Sequence, residues 1–145
     1  LPGRGNDLYR VYKKVLPACK DQDIHKTEPY IYSQFSHGPN SPEYGRGAYH
    51  WMTGTAAWMF RAVLDYMLGI QPEVDGLTIN PCINEEWDDY QVERAFRKNL
   101  YKIHVYNPNH KQTGVSYMLV DGERVNGNHI QYVDDGMTHT VEVYM

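Results

Sequence analysis

Cysteine is scarce: Cys19 and Cys82 are the two in 145 residues. They lie far apart, so they form neither a disulfide framework nor a zinc motif. Both are expected to be reduced, buried thiols of a cytoplasmic protein. Basic residues are not in excess either. The net charge is -4 and no basic cluster occurs, which argues against a nucleic-acid partner. No apolar run approaches the length needed to span a membrane. No secretory signal pattern opens the chain. The first residue is Leu1 rather than Met, which suggests a piece cut from something longer.

Tyrosine is plentiful, with 13 residues against three phenylalanines and three tryptophans. Tyrosine suits half-buried strands and polar clefts alike, and many of these tyrosines sit in strand-like runs. The length fits one ordinary domain or a small pair of subdomains. The 41% hydrophobic content is enough for a core.

Helical signals dominate the first half. Residues 1–6, with two glycines and a proline, suit an entry loop. Leu8, Val11, Tyr12 and Val15 recur at helical spacing, with Asn6 or Asp7 as N-cap and Pro17 as the stop. Residues 18–27 are polar and read as a connection. Glu28-Pro29-Tyr30-Ile31-Tyr32-Ser33-Gln34 suits either a helix start or an extended entry. Residues 35–48 are too rich in glycine and proline for a helix or a central strand. Long loops of this kind are often functional.

The chain is organised around residues 50–69. Met59, Ala62, Val63, Tyr66 and Met67 recur as one helix face. Thr53 or Thr55 can cap the helix, and Gly69 stands where a left-handed C-cap is expected. Trp58 is expected in the core. At the entrance, Gly54 has no side chain to keep an oxyanion off the backbone. Amides at a helix start attract anions. Thr53-Gly54-Thr55 thus has the makings of half a phosphate site.

Strand signals dominate after Gly69. Leu77-Thr78-Ile79, residues 90–96, 99–106, Val115–Val120, 129–133 and 138–144 read as strands. Tyr101, Ile103 and Val105 alternate with Lys102, His104 and Tyr106, the period of a half-buried strand. Asp121-Gly122 is a hairpin turn signal. Helices first and strands second make this an α+β chain with a β-sandwich behind the helices. The division falls near residues 70–76.

Several motifs in order resemble one family. They are Glu28-Pro29-Tyr30-Ile31-Tyr32-Ser33-Gln34, Gly38-Pro39, Gly45-Arg46-Gly47, Trp51-Met52-Thr53-Gly54-Thr55-Ala56-Ala57-Trp58-Met59, Leu68-Gly69-Ile70-Gln71-Pro72, Asp75-Gly76-Leu77, Ile79-Asn80-Pro81-Cys82-Ile83 and Trp87. Together they resemble the C-terminal part of the cellobiose and chitobiose phosphorylases, glycoside hydrolase family 94. The resemblance runs from about residue 5 to the end and weakens after Asn107. It implies the last helices and active-site loop of an (α/α)6 catalytic barrel over residues 1–70. A small antiparallel, jelly-roll-like β-sandwich would follow over residues 71–145. It implies phosphorolysis of a β-linked disaccharide, with inversion to an α-sugar 1-phosphate. Inorganic phosphate is then the co-substrate, and no cofactor or metal is expected.

By position, the resemblance makes Thr53 and Gly54 the phosphate-binding pair, through a hydroxyl and a backbone amide. Gln34 matches a glutamine lining the same centre near the sugar. The family's general acid is an aspartate in an Asp-Trp-Asn-Asp-like motif upstream, which does not occur here. Glu86-Trp87-Asp88-Asp89 falls instead at a turn expected to be solvated. No catalytic residue is therefore expected in this chain, and the 145 residues alone are expected to be inactive. The expected partner is the missing N-terminal part of the protein or a second copy. Two other readings belong here: a non-catalytic carbohydrate-binding module using tyrosines 101, 106, 117, 132 and 144, and the tail of a cyclic β-1,2-glucan synthase. His37 and His50 suit loop hydrogen bonding better than a metal, since no further ligands stand at suitable spacing. Arg46 reads as a surface residue within reach of an anion.

Overall fold

A computed structural model describes residues 3–19 and 31–145. Most of the expected connection over 18–27, together with Glu28, Pro29 and Tyr30, lies outside the described residues. The chain divides into two compact units, residues 10–62 and residues 1–9 joined to 63–145.

The first helix, α1 (Gly5–Val15), crosses that division. It starts one residue before the expected Asn6 cap, because Asn6 is engaged elsewhere. Its amide donates to Gln112 Oε1 at 3.1 Å and its Oδ1 accepts from the Glu85 amide at 3.0 Å. Gly5 lies so close to Ile83 that a Cβ would stand 1.7 Å from the Ile83 carbonyl oxygen. Pro17 stops the α-helix as expected, and Pro17–Cys19 adds a 3₁₀ turn. Cys19 is exposed, contrary to expectation, because this turn carries it to the surface.

In the unit of residues 10–62, the breaker-rich loop is closed by a short antiparallel ladder. β1 (Phe35–Ser36) pairs with β2 (Gly47–Ala48), and the Gln34 amide donates to the Ala48 carbonyl at 3.0 Å. Inside the loop His37 is held from both ring nitrogens. Nδ1 shares a hydrogen with Ser41 Oγ at 3.2 Å, and Nε2 lies 3.6 Å from Glu43. Arg46 pairs with the same Glu43. The loop is thus braced by its own side chains, the role expected of His37.

α2 (Thr55–Arg61) follows. It has no buried residue, and Trp58 is 72% exposed rather than in the core. Ala62–Met67 continues as a π-helical segment. A π turn takes up an extra residue, so the helical phase slips. Asp65 and Met67 are therefore buried while Tyr66, expected on the inner face, is 60% exposed. Gly69 ends the segment at φ +72°, as a left-handed C-cap should. No side chain fits there, since a Cβ would meet the Asn80 carbonyl carbon at 2.2 Å.

The remaining strands form two sheets. β3 (Ile70–Pro72), β4 (Gly76–Ile79) and β9 (His129–Gln131) make a three-stranded antiparallel sheet. β5 (Asp89–Phe96), β6 (Asn99–Tyr106), β7 (Tyr117–Val120), β8 (Glu123–Val125) and β10 (Thr138–Tyr144) make a five-stranded one in the order β5-β6-β10-β7-β8. The alternation read over 99–106 holds: Tyr101, Ile103 and Val105 are buried and Lys102 is exposed. With Val141, Val143 and Met118 they form one core with Ile70, Leu77, Ile79 and Ile130 of the smaller sheet. Each such aliphatic side chain contributes about 1.5–3 kcal/mol on burial. Two sheets sharing one apolar core agree with the expected β-sandwich. One pairing departs from the antiparallel expectation: β10 runs parallel to β6, from Thr138↔Leu100 to Tyr144↔Tyr106. A parallel pair needs a long crossover, and β7, β8 and β9 lie within it. Asp121 and Gly122, at φ +51° and +84°, make the expected tight turn between Val120 and Glu123.

The stretch around Trp87 is solvated only in part. Glu85, Glu86, Asp88 and Asp89 are exposed, whereas Trp87 packs against the core with Tyr9 edge-on at 5.4 Å. Asn107 behind it is fully buried and saturated. Its Nδ2 donates to the Trp87 and Lys111 carbonyls at 3.0 and 2.9 Å, and its Oδ1 accepts from the Lys111 amide at 2.8 Å.

Candidate phosphate site

The entrance to α2 is shaped by two threonines around one glycine. Thr53 Oγ1 accepts the Thr55 amide at 3.2 Å and lies 2.7 Å from Thr55 Oγ1. Gly54 is the N-cap by position, at φ -78° and ψ 3°, with no side-chain cap of its own. The Thr55 amide is therefore already taken by protein. The amides of Ala56 and Ala57, in the first turn, have no place in the helix ladder. Gly54 has an ordinary negative φ. A Cβ there would touch only the Trp58 ring, at 3.7 Å. Neither backbone conformation nor packing requires a glycine at this position.

Before the entrance the backbone is bent sharply. Tyr49 and Trp51 take positive φ, +51° and +70°, on either side of His50. Non-glycine residues in this region are strained, and such strain clusters at functional sites.

Gln34 meets this entrance through Thr55. Both line an open cleft of about 260 Å³ with Val15, Ile31, Tyr32 and Phe35 among its walls. Burial, aided by the Tyr12 hydroxyl, pushes the Tyr32 phenol above its ordinary pKa. Thr53 and Gly54 do not line the cleft themselves. Thr53 reaches it only through its bond to Thr55. Arg46 lines a neighbouring cleft with His37, Glu43, Tyr49 and His50, and Glu43 already offsets its charge. What the arrangement offers an anion is a pair of hydroxyls, first-turn amides and a side-chain amide. No free cation of the described residues stands among these groups.

The family model described as "Glycosyl hydrolase 94 superfamily, catalytic domain" matches residues 1–69. Residues 1–69 belong to this superfamily. Similarity to individual proteins continues past that span. Over 145 residues, 99% of this chain, it is 41% identical to a solabiose phosphorylase of Paenibacillus borealis. It is 36% identical over 127 residues, 86% of the chain, to an N,N'-diacetylchitobiose phosphorylase of Vibrio proteolyticus. A cyclic beta-(1,2)-glucan synthase of Rhizobium meliloti is 29% identical over 107 residues, 70% of the chain. The chain spans 19%, 16% and 4% of the lengths of these three relatives.

Sequence reasoning missed the hydroxyl pair of Thr53 and Thr55. It placed Thr53-Gly54-Thr55 at an anion-binding entrance but read the two threonines as alternative caps, not as a hydrogen-bonded pair. The spacing of two was the available signal, since a threonine oxygen commonly accepts the amide two residues on.

The tyrosines of the β-sandwich do not form a platform. Tyr101 is in the core, and Tyr132 packs edge-on to Phe96 beneath Arg97. Tyr106, Tyr144 and Tyr117 stack on one another at 4.9 and 4.4 Å. His104 covers one end of this ladder at 3.9 Å and Arg124 the other at 5.2 Å. The ring faces are spent on each other, which leaves a sugar little to stack on. Among the described residues no helix is long and apolar enough to cross a membrane.

Proposed function

We propose that this chain is the C-terminal segment of an inverting disaccharide phosphorylase. Residues 1–70 are read as the last helices and active-site loop of an (α/α)6 barrel, and residues 71–145 as its β-sandwich. The observation that carries the reading is the joint occurrence of superfamily membership over residues 1–69 with a hydroxyl- and amide-lined entrance at Thr53–Thr55. The substrates are a β-linked disaccharide, cellobiose-like, and inorganic phosphate.

In this reaction a phosphate oxygen attacks the anomeric carbon as the β-glycosidic C–O bond breaks. A carboxylic acid gives its proton to the leaving sugar oxygen, and the anomeric centre inverts. Phosphate is already an anion, so the protein must position it more than deprotonate it. Thr53 offers a hydroxyl and Gly54 a backbone amide. Gln34 binds the sugar or phosphate from the cleft wall. Hydrogen bonds aimed at the attacking anion hold it in line, and they gain strength where water is excluded. The general acid and the cations that balance the phosphate belong to the upstream part of the protein.

Exposed apolar side chains of residues 10–62 support a covering partner. Tyr49, Trp51, Met52, Trp58 and Phe60 are each at least 60% exposed. Apolar surface on this scale marks an interaction site. The upstream part of the same polypeptide is the proposed cover, or a second copy of the chain. Cytoplasmic placement fits two cysteines outside any disulfide, one of them exposed.

The test is phosphorolysis by the intact protein. Cellobiose, solabiose and N,N'-diacetylchitobiose are each supplied with inorganic phosphate, and the sugar phosphate is detected by phosphorus NMR. An α-sugar 1-phosphate from one of them is expected, with none formed by the 145 residues alone. Hydrolysis to free sugars, or a β-phosphate product, would overturn the reading.

A further inference from the structure

At the tip of the β3–β4 hairpin, Glu73 and Asp75 face His129 of β9. One donor atom from each lies within 4.8 Å of the other two. His129 Nε2 stands 3.5 Å from Asp75 Oδ1. That nitrogen is buried and makes no hydrogen bond among the described residues. Buried polar atoms are nearly always paired, and an exception points to an ion or water. The other ring nitrogen, Nδ1, is 3.0 Å from Thr78 Oγ1. With Nδ1–H donating to that oxygen, Nε2 keeps its lone pair, within 4.8 Å of a carboxylate oxygen of both Glu73 and Asp75. Metal-bound imidazoles are oriented by such an outer hydrogen bond.

The frame around these atoms is held by backbone. β4 pairs with β9 through Thr78↔His129 and Gly76↔Gln131. The Asp75 carbonyl accepts the Tyr132 amide at 2.8 Å and Gln131 Nε2 at 3.1 Å. The Glu73 amide donates to the Gly76 carbonyl at 2.9 Å, and Arg97 holds the Val74 carbonyl. Gly76 keeps the space beside the imidazole open. A Cβ there would stand 1.9 Å from the Ile130 oxygen and 3.0 Å from His129 Nε2. The backbone at Asp75 and His129 is thus fixed, while the Asp75 and Glu73 side chains are exposed and able to close on an ion by side-chain rotation.

We propose that Glu73, Asp75 and His129 bind a divalent first-row transition ion, for which Zn²⁺ is the best fit. Ligands about 2.1 Å from a tetrahedral ion stand about 3.4 Å apart, close to the spacing of His129 and Asp75. A nitrogen donor beside two carboxylates suits Zn²⁺ better than Ca²⁺ or Mg²⁺, which take oxygen. Water fills the fourth position. The ion ties the β3–β4 turn to β9, a structural role that does not depend on the phosphorylase reading.

The test is calorimetric titration of Zn²⁺ into the chelator-stripped intact protein, in phosphate-free buffer. Wild type is compared with Asp75→Asn, His129→Asn and the remote control Glu93→Gln. A saturable site is expected in wild type and Glu93→Gln, weakened at least about tenfold by either ligand substitution. Equal affinity in all four, or no saturable binding, overturns the proposal. Nitrogen NMR of the wild-type imidazoles guards against misfolded variants. Zn²⁺ should shift His129 Nε2 and leave His104 and His139 in place, and Ca²⁺ should shift none of them. An unmoved His129 resonance, or one moved equally by Ca²⁺, would also overturn it.

Discussion

Tyr117 and Tyr144 stack with ring centroids 4.4 Å apart and planes 11° from parallel, because β7 and β10 place them directly opposite each other. Tyr144 meets Tyr106 on its other side, in the parallel register of β6 and β10. Stacked aromatic pairs add about 0.5–1.5 kcal/mol beyond burial. A double-mutant cycle on Tyr117→Leu and Tyr144→Leu, read by urea unfolding, should return a coupling of that order. Additive losses would show the stack to be incidental. The Tyr144 hydroxyl donates to Glu142 at 3.1 Å, and this bond, with burial behind it, pushes the phenol up to about 12. An absorbance titration should lose one such late-ionising tyrosine in the Tyr144→Leu variant.

Thr53→Ala should separate phosphate binding from folding in the intact protein. Among the described residues, the Thr53 side chain bonds only locally, to Thr55. Losing one hydrogen bond to an anion costs about 1.5–3 kcal/mol, or about 10- to 100-fold in kcat/KM for phosphate. Melting temperature should move little. An unchanged phosphate dependence would remove Thr53 from the site.

Two glycines give opposite expectations. Gly54→Ala places a methyl 3.7 Å from Trp58 at a negative φ, so the fold should tolerate it within about 1 kcal/mol. Any large loss of phosphorolysis then reports on anion approach. Gly69→Ala must adopt φ +72° against the Asn80 backbone and should destabilise by more than about 1 kcal/mol. Thermal unfolding of the two variants checks the contrast.

His139 sits between two acids, with Nδ1 2.7 Å from Asp121 and Nε2 3.3 Å from Asp135. The hydrogen bond to Asp121 raises its pKa from the ordinary 6.5. A raised folded value means that the stabilisation is complete below 6.5 and fades as pH climbs through the folded value. Asp121 is lowered, first by His139 and then by the Thr140 amide. Its contribution is present above the usual carboxylate range and fades as pH falls through its depressed value. Melting curves of His139→Gln against wild type should therefore differ most near pH 5–6 and converge in alkali. A constant gap across pH would show that shape, not charge, holds this corner.

Asn107→Ala should be the costliest polar substitution. It leaves the Trp87 carbonyl and the Lys111 amide and carbonyl without their side-chain partner in a fully buried spot. Losses of about 2–4 kcal/mol are expected. Chemical denaturation of the variant measures them.

Legibility in the sequence followed the range of the forces. Tyr101, Ile103 and Val105 were readable as a core face because a strand alternates sides whatever lies next to it. Asp121-Gly122 and Gly69 were readable because positive φ is a local steric demand. Tyr66 was misplaced because a π turn is a response to packing that periodicity does not encode. Trp58 was expected inside because its apolar character says nothing about which surface covers it. At the candidate site, Thr53 and Gly54 stood out as a helix entrance open to an anion, whereas Gln34 stood out only through a family resemblance. Their link through Thr55 needed the coordinates.

The sequence by itself determined the alternating strands, their turns, the helix stops at Pro17 and Gly69, and the kinship with phosphorylases. All of these rest on residues within a few positions of one another or on ordered motifs. Tertiary structure alone decided that β10 runs parallel to β6, and that Asp75 meets His129 across 54 residues of chain. Pairing partners are chosen by burial of a shared apolar core, and no local spacing records that choice.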